Sequence, residues 1–128
     1  MTRDRALKIL LVLVGLLFVA GIYPLVTSLA KAETGAASGD NMMLSIYVTL
    51  GVFVLLAVRN PAAHRSLIAF TAWSSFAHGA VMAVMAYQIP KERVELLIAV
   101  GVLAFIGVAL LALAPAKPAA GRASSAAA

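Results

Sequence analysis

Cysteine is absent from this chain. That excludes disulfides, thiol nucleophiles, zinc–thiolate sites and iron–sulfur clusters. Charge is scarce too: only 12% of the 128 residues are Asp, Glu, Lys or Arg, and five of those are acidic. A water-soluble domain carries about 25%. Signature motifs of catalysis are also missing: no HExxH, no phosphate-binding loop, no Gly-x-Ser-x-Gly, and no paired carboxylates within an apolar run. The expectation is a protein that is not an enzyme and whose motifs call for no metal and no cofactor.

What is present is apolar. Hydrophobic residues make up 63% of the chain, with a mean hydropathy of +1.03. They fall in long runs, not in the short alternations of a soluble core. The formal charge is +5 and the pI about 10.1. Its basic residues lie between the runs, with no basic stripe interleaved by aromatics, so nucleic acid is not an expected partner. Lipid is: basic residues flanking apolar runs set topology and meet headgroups.

Four runs are long enough to cross a bilayer, which takes ~20 apolar residues with a range of about 17–25. They cover about 7–30, 42–58, 66–89 and 94–114. The fold class is therefore all-α, a polytopic transmembrane four-helix bundle over 1–114, followed by a disordered tail over 115–128. Pro24 is expected to kink the first helix, because proline removes a helical hydrogen bond. Lys31 to Asn41 reads as a loop, with Asp40 or Asn41 capping the second helix. Asn60-Pro61 marks the start of the third helix, Asn as cap and Pro at the first position. Pro90 repeats the device for the fourth, with Lys91 and Glu95 spaced to pair.

Lysine and arginine divide unequally between the two sides of this arrangement. One side holds Arg3, Arg5, Lys8, Arg59, Arg65, Lys117 and Arg122; the other holds Lys31, Lys91 and Arg93. The side richer in positive charge faces the cytoplasm, which places both termini there. A rival reading makes the first run a cleaved secretory signal ending near Ala32; its length, beyond the usual 7–15 apolar residues, favours a retained helix.

Polar residues inside a span are the default pointer to function. Thr71, Ser74, Ser75 and His78 share one face of the third helix at i, i+3, i+4 and i+7, with His64 near that face and Met82 and Met85 extending it. His78 could relay protons, ligate haem iron or meet a quinone carbonyl. The plainer reading is packing, with hydroxyls bonded to their own helix. A haem between two histidines is not available within one chain: His64 and His78 lie about 21 Å apart along one helix at 1.5 Å per residue.

Small residues form seams for close helix approach: Gly79 and Ala83 on the third helix, Gly101 and Gly107 on the fourth, Gly51 on the second, Gly15 and Gly21 on the first. Arg59, Asn60, His64 and Arg65 form a candidate basic rim on the cytoplasmic side. Tyr87 suits an interfacial anchor, and Trp73, deeper, is expected between helices.

The stretch from Arg59-Asn60-Pro61 through His64-Arg65-Ser66 to Trp73-Ser74-Ser75-Phe76-Ala77-His78, together with Gly21-Ile22-Tyr23-Pro24-Leu25, resembles an uncharacterised family of small four-helix bacterial membrane proteins. The resemblance spans about Met43 to Ala86. It implies a bacterial inner membrane and four spans, and it carries no activity, cofactor or catalytic residue. Small multidrug exporters place a Glu in their first helix and fluoride channels show a Gly-rich, Asn-bearing pattern; both features are missing here. Three functions follow as expectations. The first is a structural or accessory protein that packs with itself or with a membrane complex. The second is a dimeric proton-linked or small-solute carrier using the polar face of the third helix. The third is a haem- or quinone-binding protein using His78.

Overall fold

The computed structural model describes residues 2–117. Helix α1 runs over Arg3–Val19, α2 over Ile22–Ala30, α3 over Ala36–Ala57, α4 over Arg65–Gln88 and α5 over Arg93–Leu113. A 3-10 turn, Pro61–His64, leads into α4. Among the described residues there is no strand. With α1 and α2 taken as one bent rod, four helices are long and apolar enough to cross a membrane: Arg3–Ala30, Ala36–Ala57, Pro61–Gln88 and Arg93–Leu113. The four-span expectation holds. Of the tail expected over 115–128, residues from 118 on, Arg122 included, lie outside the described residues.

The bend in the first rod follows from Pro24, one turn before it. Pro24 has no N–H to give Ala20, so the Ala20 carbonyl accepts from Tyr23 instead, at 3.2 Å. A second tight turn, Gly21 N–H to Phe18 carbonyl at 3.1 Å, completes the break. Proline's effect on the preceding turn is the expected one.

The second span begins earlier than hydropathy suggests, at Ala36 and not Met42. Ala36 to Asp40 look like loop by their small and polar side chains, yet alanine is the best helix former. The start is set by Gly35, whose φ of +74° a side chain would resist. Asp40 and Asn41 are thus inside the helix and do not cap it. Before this, α2 ends in a Schellman-type turn: Glu33 N–H reaches the Ser28 carbonyl and Ala32 N–H the Leu29 carbonyl. Ala32 holds the left-handed position, at φ 51°.

The remaining boundaries follow the two prolines. Asn60 caps the 3-10 turn through its side-chain oxygen, which accepts from Ala63 N–H at 3.3 Å. Ile89, restricted by the following Pro90, ends α4, and Pro90 to Glu92 form a turn outside any helix. The fourth span therefore starts at Arg93, three residues later than Pro90 implies. The Lys91–Glu95 pairing is not made; the ion pair among the described residues is Lys8–Asp4 at 3.4 Å.

The helices form two antiparallel hairpins. In the first, Gly15 faces Gly51, Gly21 faces Leu44 and Val48, and Ser28 meets Asn41. In the second, Gly107 faces Phe76, Gly79 faces Leu103, and Arg93 reaches the Ala86 carbonyl. One apolar core joins them. It comprises Leu7, Leu11, Val14 and Phe18 of α1, Leu50 and Val54 of α3, Ile68 and Ala72 of α4, and Ile106 and Leu110 of α5. Most of these lie in the half of the bundle where α1 begins and α5 ends, and Phe18 sits at mid-length of the first rod.

That end is closed by arginines. Arg3 donates to the carbonyls of Ala112 and Ala114, each at 3.0 Å, and Arg65 Nε to the Pro115 carbonyl at 3.0 Å. The last carbonyls of α5 have no helical partners, and cations at a helix C-terminus also meet the favourable end of its dipole. Around the bundle the surface is apolar: Leu13, Ile46, Phe53, Phe70, Val84, Ile98 and Phe105 are all exposed. Trp73 belongs to this outer face. It is 62% exposed, edge-on to Phe76 at 5.6 Å, and not packed between helices. Lipid is the solvent that makes such a surface stable.

Candidate functional site

The polar stripe on α4 is real as a face, and its three hydroxyls are satisfied within the helix. Thr71 and Ser75 are fully buried, and Ser74 and His78 are half-buried. The Thr71 hydroxyl donates to the Leu67 carbonyl at 2.8 Å. Ser75 and Ser74 donate to the Thr71 carbonyl, at 2.7 and 3.1 Å. A hydroxyl in an apolar medium needs a partner, and the carbonyl one turn back is the nearest. On α3, Ser45 and Thr49 do the same, toward Met42 and Ser45 carbonyls.

His78 differs. Its ring lies 5.3 Å from the ring of Tyr47 on α3, inclined at 60°, and Tyr47 meets Phe18 of α1 edge-on at 4.9 Å. This aromatic triad ties three helices at the outer edge of the shared core. Tyr47 was visible in the sequence only as an aromatic; its pairing with His78 depends on the antiparallel register of separate hairpins, which no spacing along the chain carries. His64 does not join the stripe. It sits in the 3-10 turn, exposed, away from the α-helical register that put it near Thr71.

The basic rim is not a gathered site. Asn60 is a cap, Arg65 is bonded to Pro115, and Arg59 and His64 are exposed. The small-residue seams divide. Gly79 and Gly107 are buried at the α4–α5 contact, where a Cβ on Gly107 would stand 2.6 Å from the Phe76 ring. Ala83 and Gly101 are exposed, and nothing lies within 4 Å of a Cβ on Gly101. Those two face outward and do not pack these helices together. The seam where backbone meets backbone is instead Gly15 against Gly51.

A polar cluster at the opposite end of the bundle was not legible as one. Asn41 Nδ2 donates to Ser28 Oγ at 3.0 Å, and Ser28 Oγ donates to Glu33 Oε2 at 3.0 Å. Asn41 is buried although it lies in what composition reads as a loop. The chain of bonds ties the α2–α3 turn together beside an open cleft that Asp40 also lines. Among the described residues there is no group of three or more His, Asp or Glu suited to hold a metal.

Four apolar helices with a lipid-compatible exterior define the class: a small multi-pass membrane protein. Within that class, the model of a family of unknown function, DUF6632, matches residues 2–126, so the chain belongs to that family. No curated protein and no solved structure matches the chain.

Proposed function

We propose that this protein is a structural or accessory component of a bacterial inner membrane, not an enzyme. It works by packing against a second copy of itself or against a larger membrane assembly, with both of its ends on the cytoplasmic side. The observation that carries the reading is the closure of the intramembrane hydroxyls. Thr71, Ser74 and Ser75 each spend their donor on an α4 carbonyl. A carrier needs polar groups free to meet a passing solute, and this face offers none from those three. What the outer surfaces do offer is area for contact with other helices, including the small residues Ala83, Gly101 and Ala104. Small outward residues permit close helix approach. The excess of Lys and Arg around the chain ends supports the orientation.

A photo-reactive residue at Ala104, activated in the native membrane, tests the reading. A discrete protein adduct is expected. Cross-linking to lipid alone at this and neighbouring outward positions would overturn it.

The haem- or quinone-binding reading has one observation in its favour, the Tyr47–His78 pair. Within one chain a haem lacks its second histidine, since His64 is exposed in the turn before α4; a haem would need His78 from two copies.

A further inference from the structure

His78 sits 13 residues beyond Arg65 on α4, about 20 Å along a helix about 36 Å long at 1.5 Å per residue, near mid-membrane. No described residue hydrogen-bonds its imidazole nitrogens, and none hydrogen-bonds the Tyr47 hydroxyl. Yet among the described residues no unpartnered side-chain nitrogen or oxygen is sealed off by protein. These polar atoms are therefore reachable, at a depth where the bilayer supplies no hydrogen bonds. Every hydroxyl on the neighbouring turns of α4 is satisfied. The pair stands out as two donors and two acceptors with no hydrogen-bond partner among the described residues.

The surroundings restrict what that partner is. Tyr47 and His78, both half-buried, present ring edges, and the buried Phe18 ring backs Tyr47; an aromatic wall of this kind suits a planar ring. No Asp, Glu, Lys or Arg lies between Lys8 and Lys31, between Asp40 and Arg59, between Arg65 and Lys91, or between Glu95 and Lys117. A charged ligand would find no counter-charge near mid-membrane. The triad lies between the hairpins, at the last layer of their shared core, whereas the outward face of α4 carries Phe70, Trp73, Val84 and Tyr87. A second copy docking from the bilayer would meet that outward face and not His78.

We infer that Tyr47 and His78, with Phe18 beside them, form a binding site for a neutral, planar, lipid-soluble carbonyl compound of the quinone class. The Tyr47 hydroxyl and an imidazole N–H donate to its carbonyl oxygens, and the rings stack beside it. The site deepens the quinone reading above and is independent of whether the protein also packs into a larger assembly.

The full chain in mild detergent, titrated with a decyl-substituted benzoquinone, provides the test. Trp73, the single tryptophan, lies on the same helix and reports quenching. Saturable quenching is expected, weakened about tenfold or more in both Tyr47→Phe and His78→Phe, which keep the ring and lose the polar group. Circular dichroism melting of the same samples checks folding, and Tyr47→Phe is the conservative variant should His78→Phe unfold. Linear, non-saturating quenching in all three proteins would overturn the site, as would saturable binding unchanged by Tyr47→Phe. A native mass that falls from oligomer to monomer in His78→Phe would assign the polar edge to a second copy and overturn the ligand.

Discussion

Gly51 lies against Gly15 across the first hairpin so closely that a Cβ on Gly51 would stand 2.9 Å from the Gly15 carbonyl oxygen and 2.9 Å from the Val19 amide nitrogen. Both neighbours are backbone, so neither can swing aside. Gly51→Ala is expected to destabilise the bundle by about 1–3 kcal/mol, the usual cost of overpacking. Gly79→Ala is the control: its Cβ would meet Leu103 Cβ at an ordinary 3.7 Å, so the change is expected to be neutral or mildly stabilising through helix propensity. Thermal unfolding in detergent separates the two. Equal effects would mean the hairpins are not locked at this seam.

The two carbonyl bonds from Arg3 fasten the start of α1 to the end of α5. Arg3→Ala is expected to cost about 1 kcal/mol, the value for hydrogen bonds to charged groups discounted for exposure. Hydrogen exchange at Leu110 to Leu113 should quicken while exchange around Gly51 stays slow. Uniform quickening throughout would point instead to global loss of stability.

At the other end, Asn41 donates to Ser28 while Ser28 donates to Glu33. Direction matters in this chain: position 41 must be a donor. Asn41→Asp replaces the donor by an acceptor and adds a negative charge near Glu33. It is expected to be more destabilising than Asn41→Ala, which leaves the cluster short of one bond, at a cost of about 1 kcal/mol. Melting temperatures of the two variants at neutral pH provide the comparison, and the reverse order would contradict the assigned bond direction.

Thr71 and Ser75 bond only to their own helix. Thr71→Val combined with Ser75→Ala is therefore expected to change stability by no more than about 1 kcal/mol, since the backbone keeps its helical bonds. Assembly in the membrane should be unchanged. Loss of a liposome solute flux on this double change, with folding intact, would favour the carrier instead.

Much of the architecture was legible because hydropathy and proline act locally. Four apolar runs gave four spans, and Pro61 and Pro90 marked the turns before the third and fourth. Gly35 and Ala36 show where local reading fails: composition suggests loop, while a positive φ and alanine's propensity start a helix. The α4 stripe was legible by periodicity, but its meaning was not. Whether Thr71 bonds backward or across depends on what the opposite helix brings. The Tyr47–His78 contact and the Ser28–Asn41 bond depend on hairpin register and on how the hairpins meet. Neither leaves a trace in the spacing of the residues. Gly101 and Gly107 look alike in sequence, and only rotation of α5 decides that one is buried and the other faces outward.

The most direct test of the structural role is the native mass of the full chain, extracted from its own membrane in mild detergent. The expected result is a homo-oligomer or a stoichiometric complex with another polypeptide, at a mass that includes the first helix. A bare monomer under conditions that preserve other membrane complexes would contradict it.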